Sequence, residues 1–192
     1  MGRPKEFDPD AAVEQAMQVF WSQGYGATTP QHLADTLGIG KGSLYNTFGS
    51  KRQLFDLALR RYLEIQASTV KGLLEDSGPV KERLRRALRV LAETDLADPG
   101  RRGCLAMNSA AEFGATDESV TTQVRGLLDR TEDAFQALLE EGQRAGEIST
   151  ERDAKALASL LLNTVTGMRL MGRVEPGPDR LARVIDTTVD LL

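Results

Sequence analysis

Residues 28–55 hold two apolar-periodic segments too short to stand alone as helices, and this constrains the fold more than anything else in the chain. Thr29 is a good N-cap with Pro30 at the first helical position, which predicts a helix over about 30–37 with Leu33 and Leu37 facing inward. Gly38 ends it, since a glycine just past the last turn takes the left-handed backbone that satisfies orphan carbonyls, and Ile39 plugs the turn. A third helix, about 41–48, places Leu44 and Phe48 at i, i+4. Helices of this length are marginal in water, so both must lean on neighbours. One neighbour starts at Asp8-Pro9 and runs to about Gln23, with Val13, Met17, Phe20 and Trp21 in one stripe, until Gly24-Tyr25-Gly26 breaks it. The other opens at a capping box, Ser50 with Gln53, carries Leu54, Phe55, Ala58, Leu59 and Tyr62, and continues past residue 70. Two short helices joined by a tight glycine turn between two longer ones make the layout of a helix-turn-helix domain.

Beyond Gly78-Pro79 the pattern stays helical and the helices lengthen. Segments of about 80–96, 102–113, 118–145, 153–172 and 178–192 are predicted, separated by Asp98-Pro99-Gly100, Gly114, Gly146 and Gly172. No β-branched run alternates with polar residues, and aromatics are only 5% of the chain, so strands are not expected. The single cysteine, Cys104, excludes an internal disulfide and a cysteine-rich metal site and suits a reducing cytosol. No apolar stretch approaches the ~20 residues of a membrane span, and the N-terminus lacks a signal-peptide core. A cytoplasmic protein with no membrane partner is the expectation.

The formal charge of −4 speaks against nucleic acid only as a single number. Residues 1–62 carry seven Lys/Arg against six Asp/Glu, and the rest carry 17 against 22. Within 38–61 five bases, Lys41, Lys51, Arg52, Arg60 and Arg61, face one acid, Asp56. A local footprint of this kind is what DNA binding requires, although ordinary helix faces also show it. Catalysis finds fewer parts. Gly38-Ile39-Gly40-Lys41-Gly42-Ser43 superficially resembles a phosphate loop, but Gly42 separates Lys41 from Ser43 and a helix precedes it where a strand belongs. The one histidine, His32, has no catalytic partner in sequence, so hydrolytic triads and histidine metal sites lack their components. No enzyme, metal or cofactor is expected.

The stretch TTPQHLADTLGIGKGSLYNTFGSKRQLF, residues 28–55, resembles the DNA-binding region of the TetR family of repressors. The shared elements are the Thr29 cap, Leu-Ala and Leu-Gly in the second helix, Lys-Gly-Ser-Leu-Tyr opening the recognition helix, and Phe48, Ser50 and Lys51 after it. The resemblance covers about residues 6–66. It implies an all-α protein of about nine helices: a three-helix DNA-binding domain (6–66) fused through a long fourth helix to an α-helical ligand-binding and dimerisation domain (67–192). It also implies a ligand-responsive repressor that binds a palindromic operator as a homodimer. A recognition helix presents small or hydrogen-bonding residues near its N-terminus so that backbone can sit deep in the major groove. Gly42 and Ser43 permit that approach, and Lys41 supplies a base or phosphate donor unless it is a solvated turn lysine. Tyr45 and Asn46 reach for base edges, unless Tyr45 packs on its own module. By the resemblance Thr29 and Gln31 contact backbone or a flanking base, and Lys51 meets a phosphate. Many relatives carry His where Thr47 stands, which puts a contact there in doubt. Arg3 and Lys5 form a short basic arm, read either as a DNA contact or as a soluble tail.

In the C-terminal domain two apolar stripes are candidate dimer surface, Leu157, Leu160, Leu161, Thr164, Val165 and Met168 in one and Leu181, Val184, Ile185 and Leu192 in the other. Leu161, Val165, Val184 and Ile185 are the leading candidates, and some of these residues can equally serve the protomer's own core. In the segment 103–113, Cys104, Asn108 and Glu112 fall at i, i+4, i+8 with Met107 and Phe113 beside them, and Met168 lies further along. These six are candidate contacts for an unknown small-molecule effector, and neighbouring helices can equally satisfy their polar groups. Two alternatives stay open. Cys104, preceded by Arg101 and Arg102, can be a thiolate whose oxidation or alkylation is the signal, or it can be a core residue. A ligand-free architectural or adaptor protein would have a tightly filled C-terminal core.

Overall fold

The computed structural model describes residues 7–192, so the Arg3–Lys5 arm lies outside the described residues. Among these there are nine α-helices and no strand: α1 (Pro9–Ala27), α2 (Pro30–Leu37), α3 (Lys41–Phe48), α4 (Lys51–Leu74), α5 (Val80–Ala97), α6 (Leu105–Phe113), α7 (Glu118–Arg144), α8 (Ala154–Met171) and α9 (Asp179–Asp190). One 3-10 turn, Gly114–Thr116, joins α6 to α7. No helix among the described residues is long and apolar enough to cross a membrane.

Capping chemistry sets most boundaries. The Asp8 carboxylate accepts the N–H of Asp10 at 3.0 Å ahead of Pro9. Thr29 Oγ1 accepts from His32 N at 3.1 Å, and Gly38 at φ 64°, ψ 27° lets its own N–H and that of Ile39 reach back to Ala34 O. Ser50 Oγ accepts from Gln53 N at 3.1 Å, but its reciprocal bond goes to Gln53 Oε1 rather than from backbone to side chain. Two boundaries differ from expectation. α1 runs on to Ala27, because Gly24 at φ 77°, ψ 171° kinks the helix without ending it. α6 starts at Leu105 rather than near 102, because Arg101 (φ 48°) and Gly103 (φ 65°) take left-handed backbone. Arg102 is tied to Asp98, its N–H donating at 2.8 Å, and Arg101 donates to Gly172 O at 2.9 Å.

The chain divides into two compact units. The first runs to Glu64 and takes in Leu105–Gln123; the second comprises Ile65–Cys104 and Val124–Leu192. Residues 105–123, which the 67–192 domain expected from sequence includes, thus cluster with the N-terminal helices. The first unit closes around an aromatic cluster. Phe20 meets Phe55 edge-on at 5.1 Å, Tyr25 lies 5.1 Å from Phe55 and 5.2 Å from Phe113, and Phe113 stacks on Phe55 at 5.3 Å. Such pairs add about 0.5–1.5 kcal/mol each beyond their area burial. Leu33 and Leu44 are fully buried and seat the two short helices.

In the second unit α5 packs on α8 and α9. Leu84, Leu88, Phe135, Leu139, Leu161 and Ile185 are central to its core, each contributing about 1.5–3 kcal/mol by leaving water. A polar pair crosses this core. Arg169 Nε and Nη2 each donate to Asp95 at 3.0 Å, and Nη1 donates to Gln66 Oε1 at 2.7 Å. Asp95 is 5% exposed, so the guanidinium is its compensation for lost water.

Candidate nucleic-acid interface

α3 has two sharply different faces. Leu44 and Phe48 point into the first unit, while Lys41, Gly42, Ser43, Tyr45 and Asn46 are exposed. Tyr45 is 42% exposed, which removes the reading that packs it on its own module. Nothing lies within 4 Å of where a Cβ would sit on Gly42, so bare backbone is offered at the start of the helix. From α2, Thr29 and Gln31 are exposed as well. The Thr29 oxygen is used in capping, which leaves its hydroxyl proton to donate outward. Gln31 Nε2 donates to Asp35 Oδ1 at 2.7 Å, which fixes its amide and leaves Oε1 and one N–H for a partner.

Lys51 is placed differently from the expectation of a simple phosphate contact. Its Nζ donates to Tyr25 O and Thr28 O, both at 2.9 Å, and lies 3.9 Å from the centre of the Tyr25 ring. Two of its three donors therefore clasp the end of α1 to the start of α4, and one N–H remains. The basic cluster of 38–61 is also partly neutralised. Arg52 pairs with Asp56 at 2.9 Å and through both terminal nitrogens with Asp117, Nη2 to Oδ1 at 2.8 Å. Hydrogen bonding to Asp117 holds the Arg52 guanidinium above its already high range and holds the Asp117 carboxyl well below the usual carboxylate range. Arg61 pairs with Glu14 at 2.5 Å. His32 and Thr47 are half-buried.

The six effector candidates divide between the two units. Met107, Asn108, Glu112 and Phe113 fall in the first unit, Cys104 and Met168 in the second. Glu112 accepts hydrogen bonds from Tyr25 N and Gly26 N, and Phe113 belongs to the aromatic cluster. Both are committed to holding α6 in the first unit, a role the i, i+4, i+8 spacing did not reveal. Cys104 is 6% exposed, and Arg101 and Arg102 direct hydrogen bonds at Gly172, Glu175 and Asp98. That is the setting of a packed thiol rather than an exposed, cation-flanked one. In the second unit, α4 and α7 flank a cleft of about 420 Å³ lined by Ala67, Val70, Lys71, Arg130, Thr131 and Ala134 among others.

The dimer candidates are corrected by burial. Leu161 is 0%, Ile185 1% and Val165 8% exposed, all within the core of the second unit, and Val184 packs against that core. Most residues of both stripes serve the protomer's own core, while Leu160 of the first stripe is exposed. The exposed apolar side chains on the same helix, α8, are Leu160 at 52% and Leu170 at 66%, with Leu191 exposed just after α9. Among the described residues no cluster of His, Cys, Asp or Glu is arranged to hold a metal ion.

Residues 12–58 match the family model described as bacterial regulatory proteins, tetR family, and residues 80–188 match the one described as tetracyclin repressor-like, C-terminal domain. The HTH-type transcriptional regulator YezE of Bacillus subtilis (strain 168) is 35% identical over the full length of both chains. The HTH-type transcriptional repressor ComR of Escherichia coli (strain K12) is 28% identical over 99% of this chain and 91% of its own. Among solved structures, a cysteine mutant of the TetR family transcriptional regulator CifR complexed with a 26-bp double-strand operator superposes with a TM-score of 0.85. It is 26% identical and covers 98% of each chain.

Proposed function

Since the chain belongs to the TetR family of bacterial transcriptional regulators, and is a DNA-binding regulator rather than an enzyme, we propose that it is a cytoplasmic, ligand-responsive repressor that reads an inverted repeat through α2 and α3. The family works as dimers on operator DNA. The observation that carries the reading is the outward face of α3: backbone bared at Gly42, a cation at Lys41, and exposed polar groups at Ser43, Tyr45 and Asn46. Such a helix end enters the major groove, where hydrogen-bond patterns distinguish all four base pairs. Thr29 and Gln31 contact backbone or a flanking base, and the remaining N–H of Lys51 meets a phosphate.

Each protomer reads one half-site, so the dimer holds two α3 helices about 34–36 Å apart. Its contact is made by the exposed leucines of α8, Leu160 and Leu170, together with Leu191. The effector binds in the second unit and acts by favouring one pose of the DNA-reading helices over another. A difference of about 100-fold in affinity between the two poses corresponds to roughly 2.7 kcal/mol, within reach of a few contacts.

Titrating DNA with salt separates the residue roles. Tyr45→Ala is expected to lower affinity for the operator about 10-fold or more while leaving scrambled DNA unaffected. Lys41→Ala is expected to weaken both and to reduce the salt slope by about one. Equal losses on both duplexes for Tyr45→Ala would refute its assignment as a base-reading residue.

A further inference from the structure

α1 does not end in an ordinary cap. After the kink at Gly24, the N–H groups of Tyr25 and Gly26 donate to the two oxygens of one carboxylate, Glu112 Oε2 at 2.9 Å and Oε1 at 2.5 Å. The carbonyl of the same Tyr25 accepts from Lys51 Nζ, which also holds Thr28 O. One short stretch of backbone is thus gripped by a carboxylate on its N–H side and by an ammonium on its C=O side. It leads directly into Thr29, the cap of α2. A Cβ at Gly24 or at Gly26 would stand 3.0 Å from the Glu112 carboxylate, so the fit has little slack.

Two further contacts fix the α6–α7 corner in the same unit. Phe113 stacks on Phe55 of α4, and Asp117 pairs with Arg52, the second residue of α4. Asp117 also accepts the N–H of Val120 at 3.1 Å, so it caps α7 while it holds Arg52. Residues 105–117 contain no Lys or Arg, and their contribution to the first unit is to hold other elements in place.

We propose that Glu112 is a positioning residue for operator binding, setting the pose of the 24–29 turn and, through Thr29 and Lys51, the pose of α2 and α3 against DNA. This rests on the reading of the α2–α3 face as the DNA-binding surface. Long-range electrostatics and positioning make opposite predictions here. An anion in a DNA-binding unit repels phosphates, so its removal by charge alone raises affinity for any duplex. Loss of positioning lowers affinity for the operator only, because phosphate attraction tolerates a shifted helix and base contacts do not.

The test compares the full chain with Glu112→Ala and Glu112→Gln on an operator obtained by selection and on a scrambled duplex, with thermal melting measured alongside. Glu112→Ala is expected to lose operator affinity by about tenfold, the scale of one charge-assisted hydrogen bond. Glu112→Gln, which keeps one acceptor oxygen, is expected to lose less. Both should bind scrambled DNA as well as the parent or better, with an unchanged salt slope. Operator affinity at or above the parent in Glu112→Ala would overturn the proposal. So would a parallel fall on both duplexes accompanied by a lower melting temperature. A parent that fails to separate operator from scrambled DNA would instead overturn the DNA-face reading beneath it.

Discussion

Gly42→Glu is expected to abolish operator binding, by more than about a hundredfold, while leaving the free protein at least as stable as the parent. The two halves of that result have separate causes. Gly42 lies near the start of α3 with open space around it, so a new side chain meets nothing in the free protein. Replacing helical glycine removes backbone freedom from the unfolded chain, a gain of about 0.5–1 kcal/mol, and a carboxylate in the first turn suits the helix dipole. On DNA the same side chain occupies the volume through which backbone approaches the base edges, and its charge opposes the phosphates. Gly42→Ala should retain the stability gain and lose less binding. Thermal melting and fluorescence anisotropy on the same preparations measure both. Operator affinity close to the parent's in Gly42→Glu would mean that α3 does not enter the groove.

The second large effect concerns the exposed leucines of α8. Leu160→Asp with Leu170→Asp is expected to turn a species of about twice the 21.0 kDa chain mass into a folded monomer by light scattering. Operator affinity should then fall by about 10²–10⁴-fold, since the second half-site is no longer engaged as an intramolecular event. Val165→Asp separates interface from core. Its side chain is buried among core residues, so the charge should unfold the second unit rather than release a folded monomer. A double variant at Leu160 and Leu170 that remains dimeric would place the contact elsewhere.

The bounds of α2 and α3 were legible in the sequence to the residue, because their signals are local. Thr29-Pro30, Gly38 and the Ser50–Gln53 box each act through backbone geometry within a few positions, and α2 and α3 begin and end where those signals put them. Burial of whole faces was legible too, as Leu44 and Phe48 show. Periodicity gives the existence of a face but not its partner. Leu161, Val165 and Ile185 are used inside the protomer, while Leu160 of the same predicted stripe as Leu161 is exposed. The same gap explains the segment 105–113. Helical spacing set Glu112 on a face with Cys104 and Asn108, but α6 starts only after Cys104. The partners of Glu112, the amides of Tyr25 and Gly26, are some 86 residues away and carry no side-chain signal. Asp95 did leave a trace, since it falls at i+4 from Leu91 and i+11 from Leu84 on the apolar side of α5. An aspartate there calls for a buried cation, and Arg169 supplies it.

Selection of duplexes from a random library by the full chain tests the central claim most directly. The account predicts enrichment of an inverted repeat whose half-site centres are separated by about 10–10.5 bp or a multiple of it. It also predicts that Gly42→Glu, run in parallel, enriches nothing. No enriched repeat from the parent chain, or the same repeat enriched by Gly42→Glu, would contradict it.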